Sequence, residues 1–429
     1  MEEKRRFTLQ DWFKAKKGRR PVPSHMLNKV VVPKIKDARA YADEPNEGFI
    51  NDMLESVRQE GDRFLVNKTD GVREYPVLAV SGGSANGAFG AGLLNGWTKH
   101  GSRPKFKVVT GISTGSLIAP AAFLGEEYDS TMKKFFTTSA TKNILKQRGP
   151  VRGFLGGSFA TNRPLRKIIE QSYDKKLIDD VAREHEKGRR LYIGTTNLDA
   201  QRMVLWNMGK IALVGDDEAI NLFHNIILAS TSIPVLFPPV FFDVEADGEN
   251  FEEMHVDGSA VAQVFFLYGV LNGFREAAMK EGTFSDKDKK VSYVRRIKDV
   301  IAGADHSKED AASKVKVKLY VIRNGYLQPK WNPAKVNVPS IAERSVETMI
   351  NAQAMGDVVR LYAIATDKGH DFNLAHIPVE FDSHAKEMFD PEDMTRLFDL
   401  AYKKASKGYP WSKAPHMVVK FEKRNKEGI

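Results

Sequence analysis

Gly111-Ile112-Ser113-Thr114-Gly115 follows the pattern G-x-S-x-G, in which a sharp strand-to-helix turn lifts a serine hydroxyl clear of a sheet. The flanking glycines let the two arms of the turn approach. The helix N-terminus then sets backbone amides near a developing negative charge. This arrangement suits nucleophilic acyl transfer. A serine nucleophile needs a base, and the downstream segment Glu253-Met254-His255-Val256-Asp257-Gly258 offers two. His255 and Asp257 are two residues apart, so on a strand both project from one face. The residue types leave three readings open. Asp257 acts on Ser113 directly, His255 does so as part of a triad, or Asp257-Gly258 is a tight turn whose carboxylate only accepts backbone N–H groups.

A second glycine-rich turn, Ser81-Gly82-Gly83-Ser84-Ala85-Asn86-Gly87, opens a helix and could present amides to an anion. Its glycines do not fall at the i, i+2, i+5 spacing of a dinucleotide fingerprint, and Ala88 stands where a P-loop has lysine after Gly87. An oxyanion hole fits it better than a nucleotide site. The histidines show no metal-ligand spacing such as H-E-x-x-H, and the chain has no cysteine. Thiolate metal sites, disulfides and cysteine nucleophiles are therefore excluded, and no metal site is expected.

These motifs need a sheet and helices to hold them. Pro76–Val80 reads as a buried strand running into Ser81-Gly82-Gly83, with a helix over Ala88–Trp97 behind it. Phe106–Thr110 reads as a second buried strand, followed by the G-x-S-x-G turn and a helix to Leu124. Strands alternating with helices argue for parallel βαβ units. Further on, Ile178–Glu186 and Ile220–Ala229 read as helices, and Arg190–Thr195 and Met203–Trp206 as strands joined at Asp199-Ala200. Val240–Val244 and Lys316–Ile322 read as strands, and Ile341–Ile364 and Asp393–Lys407 as closing helices. Ile233-Pro234 to Pro239 is either a rigid loop or an apolar wall beside the nucleophile. Phe154–Phe159 is either a lid or a surface loop, and the charged stretch Asp286–Ser313 reads as an exposed excursion.

The whole chain, 429 residues with 42% hydrophobic and 28% charged, has the composition of a globular protein able to bury a large core. Its formal charge of +10 favours anionic partners. No zinc-finger spacing or basic heptad helix points to nucleic acid. In the first forty-odd residues, Thr8 to Asp11 fits a capping box, after which Leu9, Trp12 and Phe13 share a helical face beside Lys14, Lys16 and Lys17. This suits a short helix lying on an anionic lipid surface, or one packed on the body. The longest apolar stretch, Val261–Val270, is about half of the ~20 residues a spanning helix needs. No transmembrane segment is expected, so membrane contact would be peripheral.

Four ordered blocks resemble those of the patatin-like phospholipase family: Gly82-Gly83-Ser84-Ala85-Asn86-Gly87, Gly111-Ile112-Ser113-Thr114-Gly115, Ala229 to Pro239, and Asp257-Gly258. Thr195-Thr196-Asn197-Leu198 resembles a weaker fifth, and the similarity runs from about Arg20 to Pro415, nearest to bacterial members. The resemblance implies a three-layer α/β/α sandwich with a mainly parallel central sheet and a nucleophile elbow. It implies Ser113 as nucleophile, Asp257 alone as its base, and Gly82, Gly83 and Ser84 as oxyanion-hole donors. His255 is then a neighbour outside the proton transfer. It further implies hydrolysis of lipid acyl esters, and no metal or organic cofactor is implied. An apolar wall beside the nucleophile suits a lipid chain, which makes Pro234 and Phe237 candidate acyl-pocket lining. Residues 1–45 are then a basic arm, 46–415 the catalytic domain and 416–429 a basic tail.

Three positions depart from the family's pattern: Ser84 replaces a third glycine, Asn86 a positive residue, and Ser259 the second glycine after Asp257. Each bears on rate and leaves the catalytic groups in place. Two alternatives share these residues: a catalytically weak lipid-binding or scaffold protein, and an acyltransferase in which an alcohol replaces water. The expected partner is a lipid or phospholipid, met at a membrane surface. The chemistry leaves oligomeric state open, as it does a cytoplasmic against a cell-envelope or secreted location.

Overall fold

The computed structural model describes residues 18–60, 73–147, 158–266, 315–331 and 333–418. The aromatic-basic helix expected near Leu9–Lys17, the excursion at 286–313 and most of the 154–159 loop lie outside them, as do residues 419–429.

Among the described residues the strands are β1 (Arg39–Tyr41), β2 (Arg73–Val80), β3 (Val108–Ile112), β4 (Lys146–Gln147), β5 (Ala160–Thr161) and β6 (Arg190–Asn197). They continue with β7 (Arg202–Asn207), β8 (Val240–Ala246), β9 (Glu249–Asp257), β10 (Val315–Arg323) and β11 (Asp371–His376). β4 and β5 pair only with each other; the rest form one sheet in the order β1-β7-β6-β3-β2-β10-β11, with β9 joined to β6 and β8 to β9. From β6 to β11 the neighbours on that path run parallel, while β7, β1, β9 and β8 add antiparallel pairs. A mainly parallel sheet with a mixed edge matches the expected architecture.

Alternate residues along each strand enter opposite cores, as the period of two requires. Leu78 and Val80 of β2, Leu191 and Ile193 of β6, and Val204 and Trp206 of β7 meet helices Gly87–His100, Thr114–Leu124, Asp217–Ser230 and Pro391–Ala405. Val77 and Ala79, Tyr192, and Met203 and Leu205 point the other way. They pack with Phe49, Ile50 and Met53 of helix Glu47–Glu60 and with Val358 and Leu361 of helix Val338–Asp367. The result is three layers, α/β/α. Strands buried on both faces read as continuous apolar runs, as β2 does over Val77–Val80, whereas β10 sets half-buried Lys318 between buried Val317 and Leu319.

Residues 20–45, expected as part of an arm, pack on this body. Val22, Val32, Ile35 and Ala38 are buried, and β1 extends the sheet edge beside β7. Among the described residues no helix is long and apolar enough to cross a membrane.

Candidate active site

β6 sets the geometry of the site. Along one edge it pairs first with β3, Ile112 opposite Gly194, and immediately afterwards with β9, Asp257 opposite Thr195. β3 runs parallel to β6 and β9 antiparallel, so the carboxyl ends of β3 and β9 meet head on in one lane. Gly258 makes the meeting possible: a Cβ there would lie 3.0 Å from the Ile112 side chain and closer still to the Gly194 carbonyl. Ser113 and Asp257, 144 residues apart, follow directly from the two converging ends.

Ser113 is the N-cap of helix Thr114–Leu124, with φ 53° and ψ −126°. A positive φ is costly for a residue with a Cβ, and it turns the side chain out of the strand. Gly111 and Gly115 lie so close that a Cβ on Gly111 would strike the Gly115 backbone. The elbow is held from below by Ser230, whose Oγ accepts the Ser113 N–H at 2.9 Å and donates to Gly194 O at 2.8 Å. Two residues on, Ser232 O accepts the Asp257 N–H at 2.9 Å. The Ser230-Thr231-Ser232 segment thus braces both converging strands, a role that sequence reasoning missed.

Ser113 Oγ donates to Asp257 Oδ2 at 2.6 Å, and Ser259 N–H donates to Oδ1 at 2.8 Å. Asp257 is 2% exposed. Burial pushes its carboxyl up to about 6, against the pull of those two hydrogen bonds and of the Ser259 hydroxyl. Among the described residues no cation pairs with it.

His255 is fully buried on β9 and spends both ring nitrogens elsewhere. Nδ1 meets Thr195 Oγ1 at 2.8 Å, and Nε2 meets Glu253 Oε2 at 3.0 Å. Trp206 Nε1–H donates to that same Thr195 oxygen at 2.8 Å. Thr195 can therefore donate onward to Nδ1, leaving Nε2–H for Glu253. Burial works against the Glu253 charge, yet Arg39, ion-paired to Oε2, and His255 bring its carboxyl down to about 2. Arg39 comes from β1, outside every motif noted above.

The glycine loop packs directly on the elbow: a Cβ on Gly82 would lie 3.1 Å from Ser113 Cβ and 2.6 Å from Ser259 Oγ. Thr114 Oγ1 donates to Ser84 O at 2.8 Å. Of the three expected oxyanion donors, Gly82 is a correction, because its N–H is already given to Gln263 O at 3.0 Å. Among the described residues the amides of Gly83 and Ser84 have no protein acceptor. Ser84 has φ 53°, a conformation glycine adopts freely, which accounts for the strain of a serine here.

An apolar pocket opens on this group. Ser84, Ser113 and Thr114 line it from the loop and elbow; Leu117, Phe135, Phe136, Ile144 and Leu165 from the helices; and Thr231, Ile233, Phe237 and Phe389 from loops. Phe237 is among the residues that line it. Pro234 is not in the lining, and its neighbours Ile233 and Thr231 take that place.

Residues 78–270 match the family model described as patatin-like phospholipase. This span includes the glycine loop, the elbow and Asp257. Among solved structures the chain is similar to VipD from Legionella pneumophila, with 11% identity and a TM-score of 0.33. That comparison covers 78% of this chain and 66% of VipD. No curated protein matches.

Proposed function

We propose that this chain is a lipid acyl hydrolase of the patatin-like phospholipase type, whose family model residues 78–270 match, and that it hydrolyses lipid acyl esters with Ser113 and Asp257 alone. The observation that carries the reading is the 2.6 Å hydrogen bond from Ser113 Oγ to Asp257 Oδ2, made by a serine at positive φ. With its carboxyl near 6, Asp257 is ionised at neutral pH yet more basic than an exposed aspartate.

Asp257 takes the Ser113 proton as Oγ attacks the ester carbonyl carbon. The negative charge that develops on the carbonyl oxygen meets the N–H groups of Gly83 and Ser84, with Gly82 serving as the close-packing residue of the loop. Collapse breaks the bond to the alcohol oxygen, which leaves with the proton from Asp257, and the acyl group stays on Ser113. Water then attacks this ester while Asp257 takes its proton. The second collapse returns that proton to Ser113 Oγ and releases the fatty acid. The aromatic and aliphatic pocket receives the acyl chain.

The test is hydrolysis of p-nitrophenyl esters of increasing acyl length, and of phospholipid vesicles, by wild type and by Ser113→Ala, Asp257→Ala and His255→Ala. The first two variants abolish turnover while remaining folded, and the third keeps most of it. Wild type that turns over none of these esters, or a Ser113→Ala protein as active as wild type, overturns the proposal.

A further inference from the structure

The loop that offers the Gly83 and Ser84 amides hangs from the ends of two neighbouring strands, with Ser81 N–H donating to Ile322 O at 2.9 Å where β2 and β10 finish. Resting on the hydrolase reading above, we infer that Arg323, the last residue of β10, is the positioning residue of the oxyanion hole. It grips the carbonyl of Gly82 and so fixes the peptide plane whose other end is the Gly83 N–H.

The carbonyl of Gly82 and the N–H of Gly83 belong to one planar peptide unit and point in opposite directions. Whatever holds the oxygen therefore aims the hydrogen. Arg323 Nη1 donates to Gly82 O at 3.0 Å, and Ser81 Oγ donates to the same oxygen at 2.7 Å. A cationic donor on the carbonyl also polarises the peptide and makes its N–H a stronger donor, because linked hydrogen bonds reinforce one another.

The surroundings of Arg323 are costly unless they serve such an end. The residue is 3% exposed, and among the described residues its Nε has no hydrogen-bond partner. Its other contacts are long, to Ser81 Oγ and to Asn351 Oδ1, each at 3.4 Å. Burial lowers its pKa to about 10, opposed by Asp357 acting through space. A buried guanidinium without a directly paired carboxylate among the described residues is a destabilising choice for packing alone.

The next two residues complete the cradle. Asn324 binds Ser81 twice, N–H to Oγ and Nδ2 to the carbonyl, both at 2.9 Å, while its Oδ1 accepts the Gly90 N–H at 3.0 Å. A Cβ on Gly325 would lie 2.7 Å from the guanidinium carbon, so that glycine keeps the space Arg323 occupies.

The experiment compares wild type with Arg323→Met, Arg323→Lys and Gly325→Ala, after urea unfolding has shown which are folded. It measures kcat and KM on a p-nitrophenyl ester. It also measures affinity for an alkyl trifluoromethyl ketone, which adds Ser113 to form an oxyanion, and for the matching methyl ketone, which tests ground-state binding. Arg323→Met lowers kcat by about ten- to a hundredfold with KM nearly unchanged, somewhat less than loss of a whole oxyanion donor. It weakens the trifluoromethyl ketone by a similar factor and the methyl ketone little, and Arg323→Lys recovers part of both losses. Gly325→Ala moves the same quantities the same way by displacing the guanidinium, and it carries the test if the Arg323 variants do not fold.

A folded Arg323→Met or Gly325→Ala protein with unchanged kcat and trifluoromethyl ketone affinity overturns the inference, as does an equal loss of affinity for both ketones. A wild type without Ser113-dependent turnover is a distinct result: it overturns the hydrolase reading, and the inference falls with it.

Discussion

Asp257→Asn makes the protein more stable while removing its activity, and the gain depends on pH in a calculable way. The wild-type carboxyl rises from 3.8 to about 6 on folding because burial disfavours its charge. About two pKa units at 1.36 kcal/mol each give about 3 kcal/mol. The sign follows from proton counts. Between pH 3.8 and 6 the folded protein holds a proton on Asp257 that the unfolded chain has released, so this group's contribution is fully present below 3.8 and is lost as pH rises through 6. Asparagine carries no charge to desolvate. Its Oδ1 still accepts the Ser259 N–H, but its Nδ2 must face Ser113 Oγ, an exchange costing about 1 kcal/mol. The net expectation at pH 8 is stabilisation by about 2 kcal/mol, falling by about 2.4 kcal/mol as pH drops to 4. Urea unfolding of both proteins at pH 4, 5, 6 and 8 measures this, since other titrating groups cancel between them. A variant less stable than wild type at pH 8, or a stability difference that does not change with pH, would refute the reasoning. The pH profile of wild-type kcat/KM has its acid limb at the same value, about 6.

Other substitutions separate chemistry from support. Ser230→Ala removes the acceptor of the Ser113 N–H and the donor to Gly194 O; it costs about 1–3 kcal/mol in urea unfolding and lowers kcat more than it raises KM. His255→Ala costs about 2–4 kcal/mol, because it opens a cavity and strips Thr195 and Glu253 of a partner. Its folded fraction at low temperature turns over near the wild-type rate. Leu165→Trp narrows the pocket, and it lowers kcat/KM for long-chain esters while short esters are spared. Steady-state kinetics across an acyl series reads that profile directly.

What could be read from sequence was what is local. The apolar run Pro76–Val80 ending in glycines, and the run ending at Gly111-Ile112, announce buried strands that stop at turns, and the helices behind them follow. The Arg190–Asn197 and Arg202–Asn207 hairpin is equally local, with its turn at Asp199-Ala200. Helix Glu47–Glu60 was not legible, because its charged residues conceal a stripe of Phe49, Ile50 and Met53. Nor was the capture of the Gly82 amide by Gln263, since nothing in either segment encodes the other. The convergence of β3 with β9 depends on both pairing with one edge of β6, a property of sheet order and not of any window of residues. Motifs named Ser113 and Asp257, but only topology makes them neighbours. The supporting roles of Ser230, Arg39 and Arg323 have no spacing that marks them, as each acts through hydrogen bonds or ion pairs to residues distant in the sequence.

β9 contains its own control experiment. Glu253 and Asp257 lie on one strand, four residues apart, and both are almost wholly buried. Burial alone would raise both carboxyls. Glu253 is instead brought down to about 2 by Arg39 and by the N–H of His255, while Asp257, which has the hydroxyls of Ser113 and Ser259 and one backbone N–H but no cation among the described residues, rises to about 6. Divergent environments assign divergent tasks to like groups. A carboxylate near 2 is a permanent charge that fixes a strand and a histidine ring. One near 6 can take and return a proton at neutral pH. The proposed Ser113–Asp257 chemistry needs an aspartate whose basicity is raised without losing its charge, and burial with no counter-cation among the described residues supplies that. The histidine beside it belongs to the other carboxylate: its ring nitrogens meet Glu253 and Thr195, and the proposed mechanism draws no proton from it.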